Sequence, residues 1–460
     1  MKHNNKSIIF TSLALNQTKY FTGLAKNLES MGYAVCIVCF HEPSVKYVEN
    51  NNIKAYNVYS IVDSLNQFPE PKDVEIEELN LLISHEKLYF GIKDSDILIK
   101  KLKNYLGAML YIYKEVLKTS GKLIVIQEYG GFISLMSSYY AARHMGIDNV
   151  FIEPSFFKGR LLFTVNTFKA LHISEDSDSD IKTEVIEYLN NAKEQQVVVI
   201  PDKDRHHYRM PWMKVIDKHN VRRFIEKLAD KYLYKNREEF SHIKHYVYIH
   251  LHMIFNRLRL KKYYRPAPKG KKIIYFPLHV PNDASLTIRS PEYHDQYALL
   301  DYICRILPKD YVLCFKEHPA LVGAIDASRI KQLYQRYDNI ILLSPKMHNY
   351  TVINAASVVI TVNSKSGAEA LLLGKQVLVL GDAFYTGSSL VTRVKSLKSL
   401  RSQLLDIDTN LILDQKKIIN YFNLIWNQTS PGEIHSNDSN NISVCSRSLD
   451  LMLKRVLVSR

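Results

Sequence analysis

The sequence predicts an α/β protein with two Rossmann-like parallel-sheet domains separated by a basic helical insertion. Short β-branched and aliphatic runs alternate with stretches of helical spacing up to residue 165, and again after residue 268. The region between them, 166–268, lacks this alternation and is rich in Tyr, His, Lys and Arg. A chain of 460 residues is also longer than one hydrophobic core normally supports, which favours two domains.

The first 165 residues are expected to form the N-terminal domain. The segments SIIFTSL and YAVCIVCF are predicted strands, joined by a helix that Gly32 ends. The strands KLIVIQEYGG and NVFIEPSFF follow, on either side of a helix near 132–145. Cys36 and Cys39 lie three positions apart on one predicted strand, so their side chains should point to opposite faces as buried thiols.

A second series of strands indicates a C-terminal domain over 269–410. Its strands are KKIIYFPL, YVLCFKEHP, NIILLS, SVVITV and QVLVLG, with a helical stretch between each strand and the next. Residues 411–460 are predicted to be helical, with a polar loop inside. Alternating strands and helices of this kind are typical of parallel sheets covered by helices on both faces.

Most of the positive charge lies in one block. Residues 201–272 contain 20 Lys and Arg against 7 Asp and Glu, in a chain of net charge +15. Such a block favours an anionic surface as partner, namely membrane headgroups, an anionic polymer or nucleic acid. A solvated helical insertion is the alternative. No signal peptide and no apolar run of membrane-spanning length is visible, which predicts a cytoplasmic protein.

Polar residues follow four predicted strands of the second domain. They are Asp283 and Arg289, Lys316-Glu317-His318-Pro319, Asn363-Ser364-Lys365-Ser366-Gly367, and Gly381-Asp382. Ligands of parallel α/β sheets bind at the carboxyl ends of the strands, where helix N-termini present free N–H groups. The sequence therefore predicts a ligand site at this edge. Simple helix capping by Asn363 and Ser364 remains open, since both are preferred capping residues.

The first domain supplies two further carboxylates at strand ends, Glu128 and Glu153. If both domains face one cleft, these side chains meet the Asp283 and His318 loops across it. Two carboxylates on opposite sides of a cleft suit glycosyl transfer, one as nucleophile and one as acid/base. Solvated strand ends are the alternative for both glutamates.

The segments FIEPSFFKGRLLF, FPLHVPNDASLTIRSP, FKEHP and TVNSKSGAEALLLGKQVLVLG, in this order, resemble the capsule polysaccharide biosynthesis family. That family includes retaining β-Kdo transferases that use CMP-Kdo. The resemblance lies within about 123–395 and leaves out the basic insertion. It implies a GT-B-like fold, with a nucleotide-sugar donor held by the C-terminal domain and an acceptor glycan or glycolipid held by the N-terminal domain.

The resemblance also implies roles for single residues. Asp283 matches the proposed nucleophile, Glu153 the acid/base, and His318 a contact to the donor. The resemblance implies that Ser364, Ser366 and Glu369 bind the nucleotide of the donor. The strand ends themselves add Lys316, Pro319, Asn363, Lys365, Gly367 and Arg289 on the donor side and Glu128 on the acceptor side. Two departures lie near the reacting sugar. His279 replaces the Gln of the family's Pro-Leu-Gln-Val loop, and Glu153-Pro154-Ser155 replaces its Glu-Asn-Gly turn.

The sequence thus leads to a retaining, metal-independent glycosyltransferase of capsule or lipopolysaccharide biosynthesis. We expect no cofactor beyond a nucleotide-sugar donor, a CMP-sugar by preference, and a peripheral position at the inner membrane through the basic insertion. The segment DSDSD at 176–180 contains the Asp-x-Asp pattern of metal-dependent sugar transferases. It lies in a predicted polar loop, so we do not expect it to bind a metal. Other hypotheses are an inverting transferase with another donor, a polyol-phosphate polymerase, and a non-enzymatic nucleic-acid-binding protein using 201–272.

Overall fold

The computed structural model describes residues 6–64, 76–173, 175, 180–196, 218–407 and 413–458. The N-terminal domain alternates strands and helices as the sequence predicts. Its elements are β1 (Lys6–Ser12), α1 (Leu15–Ser30), β2 (Ala34–Cys39), α2 (Glu42–Glu49), β3 (Lys54–Asn57), α3 (Val58–Ser64), α4 (Ile76–Phe90), α5 (Ser95–Leu117), β4 (Lys122–Glu128), α6 (Ile133–His144), β5 (Asp148–Pro154) and β6 (Arg160–Val165).

Three helices are described between the two domains. They are α7 (Thr183–Glu194), α8 (Lys218–Leu228) and α9 (Ile243–Leu260). A π-helical turn, Ala229–Leu233, continues α8. Residues 201–217 of the predicted basic block lie outside the described residues.

The C-terminal domain begins with a two-residue edge strand. Its elements are β7 (Tyr264–Arg265), β8 (Lys272–Pro277), α10 (Ala284–Thr287), α11 (Gln296–Ile306), β9 (Tyr311–Lys316), α12 (Ala327–Arg336), β10 (Ile340–Leu343), α13 (Asn349–Ala355), β11 (Val358–Thr361), α14 (Lys365–Leu372), β12 (Gln376–Val379), β13 (Thr392–Arg393) and α15 (Leu397–Leu405). The chain ends with α16 (Gln415–Asn427), β14 (Thr429–Pro431) and α17 (Ser439–Val458).

Each domain is built on a seven-stranded sheet. The N-terminal sheet has the order β14-β6-β5-β4-β1-β2-β3, and its first five strands in the sequence pair in parallel. The antiparallel strands β6 and β14 extend one edge. The C-terminal sheet, β13-β12-β11-β8-β9-β10-β7, is parallel throughout its described pairs. The prediction of two Rossmann-like domains is confirmed.

Buried apolar side chains cover both faces of each sheet, as parallel strands require. The C-terminal tail contributes to both domains. Phe422 of α16 packs in the core of the C-terminal domain, whereas Leu449 and Leu453 of α17 pack in that of the N-terminal domain. The chain therefore crosses back to the first domain through β14. The edge strand β7 lies before residue 269, the predicted start of the C-terminal domain. It has two residues and is followed by Pro266 and Pro268, so the sequence pattern does not indicate a strand there.

The cysteines of β2 confirm the expectation drawn from their spacing. Cys36 packs in one core of the N-terminal domain and Cys39 in the other, so the two thiols lie on opposite faces of the sheet. Both are unpaired thiols, and burial raises the pKa of each to about 12. Both cysteines are therefore structural.

The two sheets face one another across a cleft that their strand ends line. This arrangement is GT-B-like, as the resemblance implied. Helix α9 lies along one side of the cleft and contacts both domains. Among the residues that the structure describes, no helix has the length and apolarity required to cross a bilayer.

Candidate functional site

The cleft has a volume of about 1200 Å³. This exceeds the roughly 300–1000 Å³ of ordinary small-molecule sites, so the space admits a large donor together with part of an acceptor. Its walls come from strand ends of both domains and from the inner face of α9. We call the side formed by β4 and β5 the N-terminal wall, and the side formed by β8, β9, β11 and the helices after them the C-terminal wall.

Asp283 follows β8 and begins the short helix α10. Its carboxylate accepts a hydrogen bond from the Ser285 N–H at 2.7 Å, which orients the side chain as an N-cap. Three histidines, His85, His279 and His318, lie close enough for the charge of Asp283 to favour their protonated forms. Burial outweighs that attraction and lowers the pKa of each histidine to about 4. One carboxylate is thus surrounded by neutral imidazoles.

The neutral state of His318 defines what this side chain can do. Its Nδ1 accepts a hydrogen bond from the Ala320 N–H at 3.3 Å, at the start of the 3₁₀ turn Pro319–Leu321. In a neutral imidazole the proton is then on Nε2. His318 can therefore donate a hydrogen bond in the cleft, but it does not add positive charge near neutral pH.

Lys316 and Glu369 are the two buried charged groups of the C-terminal wall. Burial lowers the pKa of Lys316 to about 8, against the attraction of Glu369, and the ammonium donates to the Met347 carbonyl at 2.8 Å. Burial also raises the pKa of Glu369 to about 7, against a hydrogen bond from Asn349 and the charge of Lys316. Both groups change charge near neutrality, a property that clusters at functional sites.

The corner between β11 and α14 is fixed by a chain of side-chain hydrogen bonds. Ser364 caps α14, because its hydroxyl accepts from the Ser366 N–H at 3.2 Å. The Ser366 hydroxyl accepts from the Asn349 amide at 3.0 Å, and Asn349 accepts from the Tyr275 hydroxyl at 2.8 Å. The corner is therefore both a capped helix start and part of the cleft wall.

Gly367 has a packing role at this corner. A Cβ at this position would lie 2.3 Å from the hydroxyl oxygen of Tyr385, whose ring is fully buried. The Tyr385 hydroxyl in turn donates to the carbonyl of Ser364. The space beside Gly367 is thus filled by protein, whereas Ser364, Lys365, Ser366 and Glu369 line the cleft.

Asn363 and Lys365 connect this corner to its surroundings. The Asn363 amide donates to the Ser285 carbonyl at 2.7 Å and ties β11 to the loop of Asp283. The Lys365 ammonium donates to the Ser155 carbonyl at 2.8 Å and reaches the N-terminal domain. The predicted corner thus lies next to both the Asp283 loop and the opposite wall.

On the N-terminal wall, Glu153 is held by Arg289 from the other domain. The Arg289 guanidinium contacts both carboxylate oxygens, at 3.0 and 3.4 Å. It also lies over the Tyr129 ring, 4.3 Å from the centroid, and donates to the Phe168 carbonyl at 2.9 Å. Arg289, predicted to bind the donor, therefore forms an ion pair with the predicted acid/base.

Glu128 is also held by partners of its own domain. The Gln17 amide donates to its carboxylate at 3.0 Å, and the imidazole Nε2 of His435 lies against the same oxygen. Asp382, at the end of β12, contacts the link between the domains and lies 2.6 Å from His172. That contact joins the C-terminal domain to the segment after β6.

Sequence reasoning missed several residues of the cleft. Tyr89 belongs to α4, Asn349 begins α13, and Tyr246 and His250 belong to α9. Tyr89, Tyr246 and His250 lie inside helices, which strand ends do not indicate, and Asn349 lies beyond β10, whose following loop was not predicted to join the site. Among the described residues, no cluster of His, Cys, Asp and Glu is suited to a metal ion. Most of the DSDSD segment, 176–179, lies outside those residues.

Fold and site together define a two-domain α/β protein with a ligand cleft between two parallel sheets. The family described as "Capsule polysaccharide biosynthesis protein" matches residues 185–413. The chain matches this family over that region, which includes most of the basic insertion and leaves out the segment FIEPSFFKGRLLF. Protein FixF of Sinorhizobium fredii (strain NBRC 101917 / NGR234) is 31% identical over 146 residues. These cover 31% of this chain and 35% of FixF, so the chain spans about a third of that relative.

Solved structures give distant likenesses. The β-Kdo 2,7 transferase of Thermosulfurimonas dismutans KpsC is 17% identical with a TM-score of 0.36, over 74% of this chain and 88% of that one. A glycosyltransferase from Rickettsia africae ESF-5 is 12% identical with a TM-score of 0.32, over all of both chains. The UDP-GlcNAc 2-epimerase of Neisseria meningitidis is 13% identical with a TM-score of 0.26, over 92% of this chain and 99% of that one.

Proposed function

We propose that the protein is a glycosyltransferase of cell-surface polysaccharide biosynthesis, for capsule or lipopolysaccharide. It transfers a sugar from a nucleotide-sugar donor to a glycan or glycolipid acceptor with retention of anomeric configuration, and Kdo from CMP-Kdo is the leading donor. The observation that carries the proposal is the group of buried ionisable side chains on the C-terminal wall. The match of residues 185–413 to the capsule polysaccharide biosynthesis family supports it.

The donor's nucleotide would bind at the C-terminal wall. Its phosphate is anionic, and Lys316 together with the N-terminus of α14 offers positive charge at that edge. The Nε2–H of His318 supplies a hydrogen bond to the leaving phosphate without competing for a proton. Donors fixed in a buried site stabilise charge that develops on a leaving group.

The chemistry then follows two displacements at the anomeric carbon. Asp283 attacks this carbon, and the bond to the donor phosphate breaks with its electron pair leaving on the nucleotide. An acceptor hydroxyl next attacks the same carbon, gives its proton to Glu153, and releases the Asp283 carboxylate. Each displacement inverts the centre, so the two together retain its configuration.

The ion pair with Arg289 shapes the part played by Glu153. While the pair holds, the Arg289 guanidinium occupies both carboxylate oxygens of Glu153. Proton transfer is therefore favoured when acceptor binding loosens this pair. Glu128 faces the acceptor from the same wall.

The proposal includes no metal and no cofactor apart from the donor, for which a CMP-sugar is preferred. It places the protein in the cytoplasm, peripheral to the inner membrane, where the growing glycolipid acceptors are made. The basic block is the expected contact with that anionic surface. No nucleic acid is involved.

A donor panel tests this proposal. The purified chain is incubated with CMP-, UDP- and GDP-sugars, and released nucleotide is measured by mass spectrometry with and without glycolipid extracts as acceptor. We expect acceptor-dependent release of CMP. Release of UDP or GDP alone would show that the donor is not a CMP-sugar. The absence of nucleotide release from every donor would contradict the transferase assignment.

A further inference from the structure

Exposed apolar side chains are concentrated in one part of the molecule. Eleven of the eighteen large apolar side chains that are exposed among the described residues lie between 221 and 258. Those of α8 and the turn after it are Val221, Phe224, Ile225, Tyr232, Leu233 and Tyr234. A concentration of exposed apolar side chains indicates an interaction site, whereas single apolar residues on a surface are ordinary.

Helix α9 carries the remaining five on one face. Its exposed apolar side chains are Val247, Tyr248, Leu251, Phe255 and Leu258. Steps of three and four residues from Tyr248 to Leu258 keep them on one stripe of the helix. The opposite face is buried by Met253, Asn256 and Leu260. Helix α9 is thus apolar on its outer face as well as its inner one.

The segment that carries the apolar stripe is strongly basic. Residues 218–272 contain sixteen Lys and Arg but four Asp and Glu. Glu239 is buried and pairs with Lys101, and the partly buried Glu238 pairs with Lys227. The other two acidic side chains also have partners, since Glu226 pairs with Arg222 and Asp230 accepts from the Asn236 amide. The outer face therefore combines apolar side chains with cations and little unpaired negative charge.

We propose that the outer face of α8 and α9 docks onto a bilayer that contains anionic lipid. Apolar side chains, with Tyr among them, enter the boundary between headgroups and acyl chains, while Lys and Arg contact anionic headgroups. A second copy of the chain suits this face poorly, because pairing would bring two strongly cationic surfaces together. A nucleic acid gives no partner for the apolar stripe.

The docking face is fixed to both domains, so binding positions the whole cleft. Glu238 lies against His41 of the N-terminal domain, and the Asn256 amide donates to the Ile325 carbonyl of the C-terminal domain at 2.8 Å. The inner face of α9, with Tyr246 and Met253, lines the cleft. A bilayer on the outer face therefore lies about one helix diameter, roughly 10 Å, from the cleft. This deepens the proposed function, on which it rests for the glycolipid acceptor.

Vesicle flotation tests the proposal with the full chain. Vesicles of phosphatidylethanolamine and phosphatidylglycerol are compared with vesicles of phosphatidylcholine. The variant Leu251→Ser/Phe255→Ser removes two side chains that are 51% and 61% exposed. Its matched control, Ile97→Ser/Leu451→Ser, removes two that are 61% and 60% exposed on other helices. A second variant, Arg259→Gln/Lys261→Gln, removes two cations near the stripe.

We expect the wild type and the control to float with the anionic vesicles. The Leu251→Ser/Phe255→Ser variant should bind at least about tenfold more weakly, and the Arg259→Gln/Lys261→Gln variant about fivefold more weakly for each cation removed. Wild-type protein that stays unbound, or an apolar variant that binds like the control, would overturn the proposal. So would a dimer in light scattering that this variant dissociates, or DNA binding that it abolishes. Flotation needs no turnover, so failure of the transferase assignment shows separately in the donor panel.

Discussion

The two walls of the cleft hold their ionisable side chains in different ways. On the N-terminal wall, Glu153 is paired with Arg289 and Glu128 contacts His435. On the C-terminal wall, Lys316 and Glu369 are buried, and loss of hydration moves the pKa of each towards neutrality. A charged side chain that is paired within the protein is held in one orientation. A buried charged side chain whose charge is only partly compensated favours the binding of a ligand of opposite charge. We therefore propose that the charged part of the donor binds on the C-terminal wall.

Among the variants that test this comparison, a replacement of Asp283 should have the largest effect, on the rate of sugar transfer. In Asp283→Asn the amide still caps α10, because Asn is an equally good N-cap, so the fold is retained. We expect transfer to fall by about 10³-fold or more, since an amide cannot form the glycosyl ester, while donor affinity changes little. Initial rates and donor titrations measure the two quantities. Asp295→Asn, the same change at the N-cap of α11, is the control, and a wild-type rate in Asp283→Asn would remove the nucleophile from the mechanism.

Replacement of Arg289 should lower the free energy of unfolding more than the loss of a surface ion pair does. Arg289→Met leaves the Glu153 carboxylate largely buried without its partner, so we expect the free energy of unfolding to fall by about 3 kcal/mol. Denaturant titration measures the loss, and Glu153→Gln in the same chain should restore part of it. Arg305→Met removes an exposed pair with Asp301 and should change stability little. Equal effects of the two substitutions would show that the wall is not held by its ion pair.

Lys316 gives the C-terminal wall a pH dependence. Its pKa of about 8 means that the side chain is charged below that pH and neutral above it. Affinity for an anionic donor should therefore be present below about pH 8 and decline as the pH rises through that value. Lys316→Met should bind the donor about 10²-fold more weakly at pH 7 and lack this decline. Calorimetric titrations between pH 6.5 and 9.5 measure both, and wild-type affinity that is constant over this range would contradict the role of Lys316.

A substitution of Gly367 tests whether this glycine is required for packing at the corner before α14. Gly367→Ala places a methyl group against the fixed Tyr385 hydroxyl, so we expect a loss of about 2 kcal/mol in stability. Tyr385→Phe removes the nearest atom and should recover part of that loss. Thermal unfolding of the single and double variants measures both. A stable Gly367→Ala protein that loses only nucleotide binding would instead assign the glycine to the ligand.

Part of this site could be predicted from the sequence because parallel strands end at the same edge of a sheet. That rule brought the loops of Asp283, His318 and Ser364 together without any knowledge of packing. The pairing of Glu153 with Arg289 could not be predicted in this way, since it depends on how two domains face one another. The same limit applies to Gly367, whose neighbour Tyr385 lies eighteen positions away beyond another strand.

The basic segment shows a second limit of sequence reasoning. Its composition predicted an anionic partner but left a solvated insertion open as the alternative. Only the packing of α9 shows which of its two apolar faces is buried, because Met253 and Leu260 lie inside whereas Leu251 and Phe255 lie outside. A helix that is apolar on both faces has no single face that hydrophobic spacing can identify.

Amide hydrogen exchange in the presence of CMP tests most directly which wall holds the nucleotide. The account predicts that saturating CMP slows exchange in segments 316–320 and 363–369 and leaves segments 128–131 and 153–155 unchanged. Protection confined to those two N-terminal segments, or no protection anywhere at saturating CMP, would contradict it.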